Sequence, residues 1–280
     1  MASASAGALA TFTAREGTAG AVCCSLRSVL GGNGLPPSTI EAKVLELADR
    51  LGMRRIPGAA RARLDELIAE GVEDEDRLIS ALTIKETRFF RQPEQFGVLA
   101  EYLRDFAQRA GQVCRIWSAA CSTGQEAYSI AMVALSAAGA GRVEVLATDV
   151  DEYALRVAVR GQYPLSELAH VPEAFRRFVE VSGDGFVVSR EVRSLVHFGR
   201  LNLAKDPFPR CHVVFCRNVL IYMRCEVARR VVEELANALL PGGLLFLGEG
   251  ETLTTLDPRG YFCGVTVGPL RYVRVSSPVR

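Results

Sequence analysis

Residues 114–126 read Cys114-Arg115-Ile116-Trp117-Ser118-Ala119-Ala120-Cys121-Ser122-Thr123-Gly124-Gln125-Glu126, an apolar strand that empties into small residues and opens a helix. Small side chains let a ligand approach the backbone, and a helix start offers N–H groups to a carboxylate or phosphate. The pattern G-x-G-x-x-G is absent, which weakens a dinucleotide reading; a tight strand-to-helix connection is the plain alternative. Working outward, apolar runs at 113–118, 143–148, 212–216 and 244–248 alternate with helical stretches at about 125–138, 151–159 and 225–240. That alternation predicts an α/β fold built on a doubly wound parallel sheet.

In such a sheet ligands bind at the carboxyl ends of the strands, so the residues that end each run are the candidates. The run 143–148 ends on Asp149, placed to accept hydrogen bonds from both ribose hydroxyls of a nucleoside, or else, with Asp151, to cap the next helix. The run Val213-Val214-Phe215-Cys216 passes straight into Arg217-Asn218 and on to Tyr222. A buried strand that stops on polar residues points to a ligand site.

The 280 residues are enough for a sizeable core, as one large domain or as a small one plus a medium one. With 33 basic and 32 acidic side chains the chain carries no global field for nucleic acid or membrane. The eight cysteines lack metal-ligand spacing, and His170, His197 and His212 are scattered, so the expectation is buried free thiols, no metal and a reducing, cytoplasmic setting. No apolar run approaches the 18 or so residues of a membrane span.

Residues 1–36 are rich in Ala, Gly, Ser and Thr without a basic start, and read as a disordered leader rather than a signal peptide. Residues 37–95 read as a small helical domain, with Ile40, Val44, Leu45, Ala48 and Leu51 on one face and Ser38 and Glu41 forming a capping box. Residues 96–280 form the α/β domain. Within it, 162–200 break the rhythm, with a helix near 172–179 and a hairpin around Gly183-Asp184-Gly185, and read as an inserted β subdomain.

Six ordered segments, Thr83–Arg91, Trp117–Tyr128, Ala147–Asp151, Asn202-Leu203, Phe215–Tyr222 and Pro241–Glu251, resemble the CheR family of chemotaxis receptor glutamate O-methyltransferases. The resemblance covers about residues 38–275 and implies a class I methyltransferase-like sheet and S-adenosylmethionine as cofactor. It implies that Thr87 and Arg91 face the cofactor and the reacting centre, that Glu126 holds the cofactor's amino-acid end and that Asp149 holds its ribose. Asn202 and Leu203 would border the adenine, Arg217 and Asn218 would lie beneath the cofactor, and Tyr222 would stand beside the methyl group. The plain alternatives are a turn-forming Asn202 and a core Tyr222. The chain departs from the family at Lys85, where Asn is usual, and at Gln125-Glu126-Ala127, where Glu-Glu-Pro is common; Lys85 is expected to point outward or to pair with Glu86 or another acid.

The resemblance implies attack by a glutamate carboxylate on the sulfonium methyl. That nucleophile is ionised at neutral pH, since a glutamate side chain in water titrates at about 4.3, so no general base and no catalytic histidine are required. The implied partner is the cytoplasmic helical methylation region of chemoreceptors, met by the arginines Arg50, Arg54, Arg55, Arg61 and Arg63, or these form only a solvated face. The short loop at 182–185 implies independence from a C-terminal receptor pentapeptide. A nucleic-acid methyltransferase is disfavoured, because Asn218-Val219-Leu220-Ile221-Tyr222 lacks the Asn/Asp-Pro-Pro-aromatic motif. A catalytically weak signalling adaptor that binds S-adenosylmethionine and receptors is the rival of a different class.

Overall fold

A computed structural model describes residues 39–108, 111–265 and 271–274; the expected leader, Ser38, Cys23 and Cys24 lie outside them. Three short helices open the described chain: α1 (Thr39–Arg50), α2 (Gly58–Ala69) and α3 (Glu75–Leu82). Val44, Leu47, Ala48, Leu64, Leu78 and Leu82 bury their apolar stripes against one another. Asp74 starts α3 by accepting the Arg77 N–H at 2.8 Å, with Glu75 and Asp76 complementing the helix dipole. An irregular segment, 83–92, with a turn at Phe89-Phe90, then leads to α4 (Pro93–Ala107), which begins on a proline whose missing N–H costs the first turn nothing.

The sheet domain follows as β1 (Cys114–Ala119), α5 (Gln125–Ala138), β2 (Val143–Asp149), α6 (Glu152–Arg160), β3 (Gln162–Pro164), β4 (Val179–Ser182), β5 (Gly185–Val188) and α7 (Arg190–Arg193). It continues through β6 (Val196–Arg200), β7 (Cys211–Cys216), α8 (Cys225–Ala238), β8 (Leu239–Leu247), β9 (Phe262–Val265) and β10 (Arg271–Arg274). The large sheet has the order β6-β2-β1-β7-β8-β10-β9, parallel except for β10, which runs antiparallel to both neighbours. This is the doubly wound α/β sheet expected of the sequence.

Alternation along the strands fills both faces. Val213 and Phe215 of β7 join Phe96, Leu99 and Leu103 of α4 on one side, while Val214 and Cys216 join Val231, Val232 and Leu235 of α8 on the other. Phe215 stacks on Phe246 with centroids 4.4 Å apart. Trp117 is fully buried and donates its indole N–H to Thr148 at 2.9 Å; truncation to alanine would cost about 3–5 kcal/mol.

Three differences from the sequence expectation concern the insertion and one strand. Val196–Arg200 pairs with β2 in the large sheet, so the small sheet, β3-β5-β4, ends before it. The helix near 172–179 is a 3-10 turn, Glu173–Phe178. Strand β8 begins at Leu239 rather than 244, carrying Pro241-Gly242-Gly243 inside it across a register shift between Cys211 and Val213 of β7. A side chain at Gly243 would meet the His212 carbonyl oxygen at 2.7 Å, so glycine here marks a close approach and not a chain break.

Of the cysteines described, Cys114, Cys121, Cys211 and Cys216 are buried free thiols, whereas Cys225 and Cys263 are exposed. No helix among the described residues is long and apolar enough to cross a membrane.

Candidate active site

The strand order turns at β1: β2 and β6 lie to one side, β7 and β8 to the other. Parallel register sets Ala119 against both Thr148 and Cys216, so the next residues, Ala120, Asp149 and Arg217, emerge side by side. There a cleft opens to solvent at the carboxyl ends of the strands, where ligands bind in such sheets. Thr87, Arg91, Glu126, Asp149, Asn202, Leu203, Arg217, Asn218 and Tyr222 all line it, and no histidine does.

Backbone strain concentrates at the same place. Among the described residues five non-glycines have positive φ: Phe90 (49°), Gln92 (59°), Ala120 (66°), Ser122 (51°) and Asn218 (57°). Phe90 and Gln92 flank Arg91, Ala120 and Ser122 form the turn after β1, and Asn218 follows β7. Each such conformation costs on the order of 1–3 kcal/mol and persists where surrounding contacts hold it. Gly124 completes the first turn at φ 94°; a side chain there would strike Ala158 Cβ at 2.8 Å.

Asp149 is buried. Its Oδ2 accepts the Ser122 N–H at 2.7 Å and its Oδ1 the Asp151 N–H at 2.9 Å, which leaves each oxygen a lone pair. Burial pushes its carboxyl above the ordinary range, while those backbone donors pull the other way. Helix capping falls to Asp151, which takes the Tyr153 and Ala154 N–H groups. Asp149 is thereby excused from that structural task.

Glu126 sits in the first turn of α5. Its Oε1 accepts the Ser118 hydroxyl at 2.7 Å and its Oε2 lies 3.3 Å from Arg217 Nη1. Burial raises its pKa; Arg217, Ser118 and Arg91 oppose the rise. Arg217 is held by Gln92, whose Oε1 accepts from Nε at 3.2 Å and Nη2 at 2.7 Å, and by the Arg91 carbonyl. Two buried polar atoms of residues lining this cleft make no hydrogen bond within the protein: Ser122 Oγ, and Arg217 Nη1, whose contact with Glu126 Oε2 at 3.3 Å is an ion pair without hydrogen-bond geometry. Buried donors left this way fit an acceptor group on a polar ligand.

Lys85 does not reach Glu86; it pairs with Asp151 at 2.9 Å and donates to the Ser80 carbonyl. Asn202 ties the stretch after β6 to the end of α1, its amide donating to the Arg50 carbonyl at 3.1 Å while its Oδ1 accepts from the Ala204 N–H. Burial raises the pKa of the Tyr222 hydroxyl, Glu86 adds to this and Arg91 opposes it, so the phenol is protonated at neutral pH. The arginine cluster is largely committed: Arg50 pairs with Glu75, Arg61 with Asp65, and Arg63 donates to the Ala81 and Thr83 carbonyls. Arg54 and Arg55 remain exposed.

One residue given no role by sequence reasoning is Glu251. It is 4% exposed, and its carboxylate accepts N–H groups from Asn218, Gly248, Val219 and Leu220 at 2.7–3.0 Å. The available signal was an acid in Gly248-Glu249-Gly250-Glu251, directly after an apolar strand.

A model of the CheR methyltransferase S-adenosylmethionine-binding domain matches residues 85–268. The chain belongs to the CheR methyltransferase family. It is 37% identical over 195 residues to chemotaxis protein methyltransferase 1 of Pseudomonas aeruginosa, covering 65% of this chain and 71% of that protein. Against the chemotaxis protein methyltransferase of Salmonella typhimurium it is 39% identical over 202 residues, 68% of each chain. It also matches an uncharacterised 104.1 kDa protein of Rhodobacter capsulatus, 35% identical over 230 residues, and spans about a quarter of that protein's length, the match covering 79% of this chain and 24% of the other. The cofactor of this CheR-family methyltransferase is S-adenosylmethionine.

Proposed function

We propose that this CheR-family chain methylates glutamate side-chain carboxylates of chemotaxis receptors, acting in the cytoplasm. The observation that carries the reading is a cleft with a guanidinium, Arg91, and a protonated phenol, Tyr222, but no histidine. Such a site suits an anionic nucleophile, and a glutamate carboxylate is already ionised at neutral pH without a general base. The relatives are named chemotaxis methyltransferases, which supports receptors as the substrate.

When bound, S-adenosylmethionine supplies a methyl group already activated on a sulfonium. Asp149 would hold the ribose hydroxyls with its two remaining lone pairs, Asn202 and Leu203 would border the adenine, and Thr87 and Asn218 would flank the cofactor. Glu126 would take the ammonium of the amino-acid end, and Arg217 Nη1 its carboxylate. Arg91 and Tyr222 would orient the incoming carboxylate in line with the methyl carbon. Alignment of two bound reactants can supply on the order of 7–11 kcal/mol of the barrier.

Two features support finer points. The hairpin of the small sheet turns in two residues, Gly183-Asp184, with Gly183 at φ 60°, in keeping with independence from a receptor pentapeptide. The near-neutral charge supports a protein substrate over nucleic acid. The test is tritiated methyl transfer to receptor-containing membranes. Label released by mild base identifies a methyl ester; label that survives base would overturn the reading.

A further inference from the structure

The segment that carries Asn218 and Tyr222 is fixed from two directions. On the sheet side, Glu251 Oε2 accepts the N–H groups of Asn218 (2.7 Å) and Gly248 (2.8 Å). Its Oε1 accepts those of Val219 (3.0 Å) and Leu220 (2.9 Å), with Ile221 at 3.4 Å. Consecutive N–H groups from 218 to 221 thus converge on one buried carboxylate, a concave anion nest whose anion is built in. The same oxygens cover the start of the 3-10 turn Leu220–Tyr222, whose first N–H groups have no partner inside the turn. On the other side, the Arg54 N–H donates to the Tyr222 carbonyl at 2.8 Å and the Arg224 N–H to the Gly52 carbonyl at 2.9 Å.

This use of a charge is unusual. A carboxylate buried in a protein costs several kcal/mol unless its lone pairs are filled, and here backbone donors fill them. Those donors belong to a stretch held in a costly conformation, Asn218 at φ 57°. Gly248 makes room for it: a side chain there would lie 2.5 Å from Asn218 Nδ2.

We propose that Glu251 is a positioning residue for methyl transfer. It holds Asn218 against the cofactor and Tyr222 against the methyl acceptor as one rigid unit, so that neither side chain works without it. The proposal rests on the reading of Asn218 and Tyr222 given above, and it adds a dependence of both on a residue that does not itself touch the reactants.

The experiment is a double-mutant cycle in the full chain with Glu251→Gln and Tyr222→Phe, read as turnover at saturating cofactor, together with calorimetry of S-adenosylhomocysteine and backbone hydrogen exchange. Glu251→Gln keeps the shape but turns an N–H group toward donors. The expected results are about tenfold faster exchange of the amides 218–221, about tenfold weaker S-adenosylhomocysteine binding, and a loss of turnover that Tyr222→Phe does not deepen. Should Glu251→Gln fail to fold, Glu251→Asp carries the same cycle. Unchanged exchange at 218–221, or turnover losses that multiply independently, would overturn the proposal. The affinity and exchange readouts need no methyl acceptor, so a wrong substrate assignment leaves them standing and is recognised separately.

Discussion

Two buried carboxylates stand at the carboxyl edge of the sheet, and they are used in opposite ways. Asp149 ends β2 and accepts two backbone N–H groups, one on each oxygen, leaving half its acceptor capacity toward the cleft. Glu251, just beyond β8, takes four backbone N–H groups within 3.0 Å and a fifth at 3.4 Å, leaving nothing for a ligand. Burial and residue type alone do not separate them. The count of filled lone pairs does: the first is built to receive, the second to hold.

The largest loss of turnover is expected on the held side, where Arg91 and Tyr222 are proposed to meet the acceptor. Arg91→Ala should lower turnover at least 100-fold, because the incoming carboxylate loses its alignment with the methyl carbon, with S-adenosylhomocysteine affinity less affected; steady-state kinetics with receptor membranes checks this. Gly248→Ala forces Asn218 out of place and should weaken cofactor binding and lower turnover together by about tenfold or more, read by calorimetry and the same assay. Tyr222→Phe removes only the hydroxyl and should lower turnover about tenfold with cofactor affinity unchanged.

On the receiving side the expected signature is a pH dependence. Burial raises the folded-state pKa of both Glu126 and Asp149. A carboxyl shifted this way costs the fold stability where it is ionised: the cost is absent below the unfolded value near 4 and complete once pH exceeds the raised folded value. On the proposed reading, cofactor binding uses both in the ionised form. Acidification should therefore weaken S-adenosylhomocysteine binding at a pH above the ordinary carboxylate range, before the fold is lost, and Glu126→Gln should flatten that part of the profile.

The smallest effect is expected at Lys85→Asn, which restores the residue usual in the family. Asp151 keeps its two capping N–H bonds and the Thr83 hydroxyl, so the loss is the ion pair and the Lys85 hydrogen bond to the Ser80 carbonyl. The Asp151 pKa is lowered because Lys85 and Thr83 outweigh desolvation, so this contribution is present above about pH 4 and fades as pH falls through the folded value. A drop of about 1–2 kcal/mol at neutral pH, measured by thermal unfolding, is the expected outcome.

What the sequence made legible follows from what leaves a mark in it. The turn after β1 shows as small residues between an apolar run and a helix, and Asp149 shows as an acid at a strand end. Strand β6 left no such mark: Val196-His197-Phe198-Gly199-Arg200 is a polar edge strand with only two large apolar residues, and it lay beyond a hairpin signal that drew it into the insertion. The strained backbone of Phe90, Gln92, Ala120 and Ser122 is invisible because none of these residues advertises positive φ. That Lys85 pairs with an acid was expected, but which acid was not legible, since Asp151 is 66 positions away in the chain and becomes adjacent only when the N-terminal helices pack beside the sheet.

The contrast between the two carboxylates is tested most directly by titrating S-adenosylhomocysteine into wild type and Asp149→Asn by calorimetry, with the melting temperature of each recorded. Affinity should fall at least 100-fold in the variant, with a melting temperature within a few degrees of wild type. Wild-type affinity in a folded Asp149→Asn protein would contradict the contrast.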